Sequence, residues 1–187
     1  MPATKRSWSR AVYLGSQAIA TYNLNMNKKE FFLARKQAIR ERTRQVLEMV
    51  RPEHLTWKPE KEALSVGEML RHIWVSEEGM RRIALEGDFA YYETRIPQGL
   101  RAVLGIPESL DHELQNLERV HTETLAKVRD YPLERFEEER IHEGFDFRRK
   151  VEAILFGLND HEIHHRAQLM TYLRILGTPM PEFITRR

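Results

Sequence analysis

Four long stretches of this sequence carry apolar residues at the three- and four-residue spacing of a helix that faces a core. They span residues 28–50, 65–85, 107–129 and 147–176. Helix-breaking residues follow them, in order Pro52, Gly87, Pro132 and Gly177. No strong strand pattern is present. The sequence therefore predicts an all-α fold, a four-helix bundle with long crossover loops and an N-terminal arm.

The predicted arm comprises residues 1–27, and the bundle domain comprises residues 28–187. Basic residues near the start precede a mildly apolar stretch, which superficially resembles a signal peptide. That stretch also contains Gly15, Ser16 and Gln17, which are poor residues for the apolar region of a leader. We therefore expect an arm that packs on the domain or on a partner subunit.

The connections between the predicted helices are long for a small bundle, at residues 51–64, 87–106 and 131–146. Connections of this length often form the walls of a functional pocket. They are equally compatible with plain crossovers, with a short helix near residues 98–104 in the second one. The sequence leaves both interpretations open.

Composition narrows the chemistry. The chain has no cysteine, so it cannot form a disulfide, use its own thiolate or build a thiolate metal site. A thiol in its chemistry must arrive as a substrate.

The net charge of +2 comes from 30 basic and 28 acidic residues in mixed order, so we expect no nucleic-acid partner. No run approaches the roughly 20 apolar residues of a membrane span, and we expect a cytoplasmic protein without membrane contact.

The most specific motif is a group of three histidines within residues 161–165. His161 and His165 are four residues apart, so they share one face of a helix and can bind one metal ion together. On a helical wheel both fall on the buried side with Glu162, whereas His164 points away. A pair of hydrogen-bonded interior histidines is the alternative, and the inward carboxylate beside the pair favours the metal.

Two ligands are too few for a tight site, and His72 on the second predicted helix is the candidate third. It shares a face with Ser65, Ser76 and Gly79, whose small side chains would let another helix approach closely. Taken alone, His72 is more typical of a surface or interface histidine. Glu77 lies in the apolar stripe of the same helix. It is predicted to be an acceptor behind the ligands, a fourth ligand, or the partner of a buried arginine such as Arg166. The other histidines, at 54, 112, 121 and 142, are expected to be solvated.

Four segments together resemble the DinB/YfiT-like family of metal-binding four-helix bundles. They are Leu55–Pro59, Ser65–His72, His161–Leu169 and Tyr172–Pro179. The resemblance implies that His72, His161 and His165 hold one divalent metal ion, and that the protein forms a homodimer. One departure is Ala167, where the family usually has glycine, and we expect little effect on the metal because that position faces away from the site.

Three histidine ligands leave at least one open coordination position, which is typical of a catalytic metal site. Some members of the family are thiol-dependent transferases or isomerases. The resemblance therefore implies a metal-dependent S-transferase that joins a small-molecule thiol to a small electrophile. Glu77, Arg166 and Gln168 are the predicted catalytic residues, as groups that orient the reactants.

Two other functions stay open at this point. One is metal-dependent hydrolysis with Glu162 or Glu77 as the base. The other is a non-enzymatic, stress-related metal-binding bundle. Zinc or nickel is the expected metal, with iron or manganese as further candidates, because imidazole suits several of these ions.

Overall fold

Four long helices and two short ones build the protein in the computed structural model, which describes residues 26–179. The helices are α1 (Lys28–Leu47), α2 (Val66–Glu86), α3 (Ala90–Gln98), α4 (Leu100–Leu104), α5 (Leu110–Asp130) and α6 (Val151–Ile175). The predicted all-α bundle is confirmed. The predicted N-terminal arm, residues 1–27, lies outside the described residues except for its last two.

The long helices begin and end where local chemistry demands it. Asn27 before α1 and Ser65 before α2 each form a reciprocal capping box with a glutamate three residues later. Gly87 ends α2 with a φ of 71°, which glycine adopts without strain. These caps fix where α2 starts and stops, and therefore fix the position of His72 in its second turn.

The long helices pack as a square. Helix α2 lies beside α5 and α6, and α1 lies beside the same two helices. One apolar cluster contains the start of α1 and of α6 together with the end of α2 and of α5, and a second contains the opposite ends. Helices α1 and α6 therefore run in one direction, and α2 and α5 run in the other. The crossover that carries α3 and α4 joins the two parallel neighbours α2 and α5.

A small antiparallel hairpin precedes α6, formed by β1 (Glu139–His142) and β2 (Phe147–Lys150). The sequence predicted that the last helix begins near Phe147, and this is wrong by four residues, because α6 begins at Val151. The backbone of residues 147–150 pairs with β1 from Glu139↔Lys150 to His142↔Phe147. The Phe147 side chain is buried among aromatic rings, so this segment gains more from the hairpin than from an extra helical turn.

A buried polar layer divides the apolar interior at mid-height. Each long helix contributes to it between its two apolar ends. Its members are Lys36, Arg40 and Thr43 of α1, Ser76 and Glu77 of α2, His121 and Thr124 of α5, and Asn159 and Glu162 of α6. Burying so many polar groups opposes folding unless they find partners, so this layer is the place to look for function.

Within residues 26–179, none of the helices combines the length and the apolar character that crossing a bilayer requires.

Candidate metal centre

Three histidines meet at one edge of the polar layer. His72 comes from α2, and His161 and His165 come from successive turns of α6. The Nε2 atom of His161 lies 3.1 Å from Nε2 of His72 and 3.1 Å from Nε2 of His165. All three ligand atoms lie within 4.8 Å of one another. We call these residues the histidine triad, and the convergence expected from the sequence is present.

The triad is neutral at physiological pH. Burial lowers the pKa of His72 and of His161 to about 3, and His165 adds to the effect for both. Burial also lowers the pKa of His165, against a hydrogen bond to Gln168 that raises it. His72 and His165 are 5% and 8% exposed, whereas His161 is only partly buried and faces solvent at one edge. Neutral imidazoles are the form that binds a metal ion.

The far nitrogens of two triad rings are anchored. Nδ1 of His165 lies 2.7 Å from the side-chain oxygen of Gln168, an acceptor, so Nδ1 carries the proton and Nε2 a lone pair. Nδ1 of His72 lies 3.0 Å from the hydroxyl of Ser76. Metal-binding histidines almost always have such a partner on the other nitrogen, because it fixes the ring and its tautomer.

The three Nε2 atoms fit a cation better than they fit one another. A neutral imidazole nitrogen has a single in-plane position, filled either by a hydrogen or by a lone pair. Nε2 of His161 therefore cannot make good hydrogen bonds to both neighbours at 3.1 Å. Metal–nitrogen bonds of about 2.0–2.1 Å at a tetrahedral angle place two nitrogens about 3.3 Å apart, close to these separations. The donor set therefore fits a divalent metal ion.

Helix α3 covers the His72 side of the triad. The Tyr91 hydroxyl lies 2.8 Å from the hydroxyl of Ser76, which in turn contacts His72. The Tyr91 ring packs directly on Gly79 of α2, where an added Cβ would lie 2.4 Å from the ring. The small face of Ser76 and Gly79 thus admits another helix, as the sequence predicted, and that helix belongs to the crossover.

Arg95, one turn after Tyr91, supplies a positive charge near the triad. Its guanidinium lies 5.8 Å from the centre of the Tyr91 ring and has no hydrogen-bond or ion-pair partner among residues 26–179. Its charge contributes, after burial, to the lowered pKa of His72 and of His161. This cation favours an anion at the open side of the triad.

Behind the triad lies a second buried cluster, which we call the charged quartet: Lys36, Arg40, Glu77 and Glu162. Lys36 Nζ lies 2.8 Å from Glu77 and 2.9 Å from Glu162, and Arg40 lies 3.1 Å from each carboxylate. All four are at most 2% exposed. Burial alone raises the pKa of Glu162, but Lys36 and Arg40 more than offset it and hold that pKa below its ordinary value.

The structure places the three predicted catalytic residues in different settings. Gln168 contacts His165, as described. Glu77 belongs to the quartet, so the interpretation of it as the partner of a buried arginine is met by Arg40 and not by Arg166. Arg166 donates a hydrogen bond to the backbone oxygen of Ile39 on α1. These contacts do not define a substrate, and the catalytic roles of the three residues stay predictions.

Two of the four histidines expected to be solvated are buried, and that expectation is wrong for them. His54 is 8% exposed, and its Nδ1 accepts from the backbone of Arg51. His121 is 1% exposed in the polar layer, 3.3 Å from Gln37. The exposed position of His164 agrees with the helical wheel. The sequence reasoning also missed Lys36 and Arg40, although both recur at helical spacing in the stripe that carries Phe32 and Thr43.

Comparison with known proteins identifies related sequences and related structures. A sequence profile described as the DinB superfamily matches residues 37–169. The uncharacterised protein YjoA of Bacillus subtilis (strain 168) is 27% identical over 151 residues, which cover 77% of this chain and 88% of that protein.

Two solved structures resemble the fold. The crystal structure of the DinB-like protein YjoA from Bacillus subtilis superposes with a TM-score of 0.63 at 21% identity, over 80% of this chain and 94% of that one. A DinB-like protein from Bacillus cereus ATCC 10987 gives a TM-score of 0.63 at 18% identity, over 80% and 93%. These two likenesses concern the fold alone.

Proposed function

The chain belongs to the DinB superfamily, and on that basis we propose that it holds a divalent metal ion at His72, His161 and His165 and acts as a metal-dependent thiol S-transferase on a small electrophile. One observation carries the proposal: three neutral imidazoles direct Nε2 atoms to a common point, while their surroundings hold two of the rings from behind.

A divalent cation at this point supplies Lewis acidity, which favours the thiolate form of a bound thiol near neutral pH. The protein's own residues prepare the site for an anion. No carboxylate belongs to the triad, and the buried carboxylates of Glu77 and Glu162 are already paired with Lys36 and Arg40. Arg95, which has no ion-pair partner among residues 26–179, adds a positive charge. A negatively charged sulfur is therefore better stabilised there than a neutral thiol.

The remaining groups position the reactants and the ligands. Gln168 holds the His165 ring in the tautomer that leaves Nε2 free. The partly exposed edge of His161 is the side from which a small molecule can approach. Because the chain has no cysteine, the thiol comes from a low-molecular-weight cosubstrate.

The test begins with metal content of protein prepared without a histidine tag, by elemental analysis, with zinc and nickel as the first candidates. Replacing outer partners of a metal ligand costs about 10–100-fold in affinity, so His161→Ala, which removes a ligand, should cost more than about 100-fold. His164→Ala is the matched control, because His164 lies on the same helix and is exposed. It should bind metal like the wild type.

Activity is then measured by conjugation of a chromogenic aryl halide with a panel of small thiols, with and without metal. The expected result is thiol- and metal-dependent turnover that His161→Ala abolishes and His164→Ala retains. Metal-free wild-type protein, or activity unchanged in His161→Ala, would overturn the proposal. Turnover of an ester or amide without any thiol would favour hydrolysis instead.

We also propose a homodimer, supported by the family resemblance. Light scattering on the eluted peak of a sizing column measures it directly, and a mass equal to one chain across the accessible concentration range would refute it.

A further inference from the structure

A chain of three polar groups connects the crossover helix to the histidine triad. It runs from the Tyr91 hydroxyl to the Ser76 hydroxyl over 2.8 Å, and from there to Nδ1 of His72 over 3.0 Å. Ser76 and His72 are 4% and 5% exposed, so bulk water does not substitute for either contact. The chain ends at the ring whose other nitrogen lies 3.1 Å from His161.

The hydrogens along this chain can point in either of two directions. If Tyr91 donates to Ser76 and Ser76 donates to Nδ1, then neutral His72 carries its hydrogen on Nε2, where it blocks a cation. If Nδ1 donates to Ser76, then Nε2 presents a lone pair, and the Ser76 hydroxyl donates to the Tyr91 oxygen, the other partner that the structure gives it. Only the second direction is compatible with metal binding through Nε2.

Tyr91 matters differently in the two directions. In the blocked direction Ser76 already has an acceptor, Nδ1, and does not need the phenol to satisfy its hydrogen. In the metal-binding direction Tyr91 is the acceptor that the structure gives to this buried hydroxyl, and a buried donor without a partner is costly. Removal of the Tyr91 oxygen therefore disfavours the metal-binding tautomer selectively.

We propose that Tyr91 is a positioning residue of the metal centre: its hydroxyl receives the hydrogen of Ser76 and so holds His72 in the tautomer that binds a cation. This inference rests on the proposed function, because it concerns the same three ligands. Metal affinity then depends on how α3 packs against α2, although α3 contributes no ligand itself.

Gly79 is what allows Tyr91 to reach Ser76. A Cβ at position 79 would lie 2.4 Å from Cγ and 2.7 Å from Cβ of Tyr91, distances that real atoms do not tolerate. Because one clash involves the Cβ of Tyr91, a simple rotation of the ring does not relieve it. Gly79→Ala should therefore displace the phenol from Ser76 while leaving its chemistry intact, and alanine is the better helix former within α2.

The neighbouring tyrosine provides a matched control. Tyr92 lies next to Tyr91 on α3, and its ring packs on Phe147 at 5.4 Å and on the Tyr91 ring at 5.8 Å. Tyr92→Phe keeps both ring contacts and removes a hydroxyl that does not contact Ser76. The experiment compares Tyr91→Phe with Tyr92→Phe by chelator competition for Zn²⁺ and by the visible spectrum of bound Co²⁺. We expect about tenfold weaker binding for Tyr91→Phe, in the range of outer partners of metal ligands, and less than about twofold for Tyr92→Phe.

A double-mutant cycle separates positioning from general damage. Ser76→Ala should weaken Zn²⁺ binding at least as much as Tyr91→Phe, and the double variant should be no weaker than Ser76→Ala alone, because Tyr91 acts only through that hydroxyl. Gly79→Ala should reproduce the loss of Tyr91→Phe. Thermal unfolding of the metal-free proteins should differ little between Tyr91→Phe and Tyr92→Phe.

Equal affinities for the two tyrosine variants, or additive losses in the cycle, would overturn this inference while the metal site itself stands. Absence of Zn²⁺ and Co²⁺ binding by the wild type and by Tyr92→Phe alike would instead overturn the proposed function, and the role of Tyr91 with it.

Discussion

The histidine triad lies at the edge of the polar layer that contains the charged quartet, and the two clusters offset the free-energy cost of burial in opposite ways. The quartet brings two cations and two carboxylates into contact, so its formal charges cancel within the chain. The triad brings together three neutral bases whose Nε2 atoms cannot all form hydrogen bonds with one another, because His161 Nε2 has one in-plane position for two neighbours. His161 and Glu162, adjacent in sequence, belong to different sides of this division.

The difference distinguishes a structural cluster from one that can bind a cation. A self-balanced set of charges gains nothing from an external ion, whereas converging lone pairs gain a partner and lose their mutual repulsion when a cation arrives. The quartet also joins α1 to α2 and α6, the two helices that carry the triad. We therefore interpret the quartet as support for the ligand geometry and the triad as the place of chemistry.

The largest expected effect comes from breaking the quartet. Lys36→Met keeps the length of the side chain but leaves two buried carboxylates with one cation. Loss of one partner of a buried ion pair costs about 3–5 kcal/mol, and we expect a decrease of that size in the free energy of unfolding of the metal-free protein. Urea denaturation followed by circular dichroism measures it.

Lys28→Met is the matched control for this variant. Lys28 lies on the same helix and also contacts two carboxylates, Glu137 at 2.6 Å and Glu152 at 2.8 Å, but its side chain is 48% exposed. Its loss should be much smaller, because water screens and replaces exposed ion pairs. Similar losses of stability for the two variants would show that the buried quartet contributes no more than exposed ion pairs do. Lys36→Met with Glu77→Leu should recover part of the loss, since charge balance returns.

The sequence predicts the triad better than the quartet, for a physical reason. Histidines four residues apart on a helix must share a face, so local geometry alone brings His161 to His165. Periodicity could not bring His72 to them, because that contact depends on how α2 packs against α6, and the family resemblance supplied it. Lys36 and Arg40 were missed because charged residues are usually assigned to the solvent face.

The crossover was the least predictable region. The long helices on either side of it, α2 and α5, are predicted by the spacing of their apolar residues. Helix α3 spans only nine residues and carries no buried stripe. The small residues Ser76 and Gly79 signalled that something approaches α2 closely, and they did not identify Tyr91. The hairpin was missed for a similar reason, since each strand has only four residues and β2 is rich in arginine.

An intermediate effect should appear on acidification, through His121 beside the quartet. Burial lowers its pKa to about 3 from 6.5, and the charges of Arg40 and Lys36 add to the shift. The unfolded chain therefore binds a proton that the folded chain refuses, so stability is full above about pH 6.5 and falls as the pH drops toward 3. One such histidine contributes up to about 1.4 kcal/mol per pH unit in that window, so over the first unit below about pH 6.5 the loss is smaller than that from breaking the quartet.

His121→Gln should remove that contribution from the pH dependence of urea unfolding, measured with a chelator present so that metal release does not enter. His112→Gln is the control on the same helix, because the His112 side chain is 36% exposed. The triad histidines stay in both variants, and the residual acid sensitivity is theirs. An unchanged slope in His121→Gln would mean that burial and the neighbouring charges do not keep His121 neutral.

The smallest effect concerns Gln168, the acceptor behind His165. Substitutions at this position should either lower or raise the affinity for Zn²⁺. Gln168→Leu removes the partner of Nδ1, 2.7 Å away, and should weaken Zn²⁺ binding by about tenfold. Gln168→Glu places a carboxylate there, which makes the ring a stronger ligand and should tighten binding. Gln115→Leu, at an exposed position of α5, should change nothing. Affinity should therefore follow the order glutamate, glutamine, leucine at position 168. If all three bind Zn²⁺ equally, the hydrogen-bond partners of the far ring nitrogens do not tune the affinity of the triad, which then depends on the converging Nε2 atoms alone.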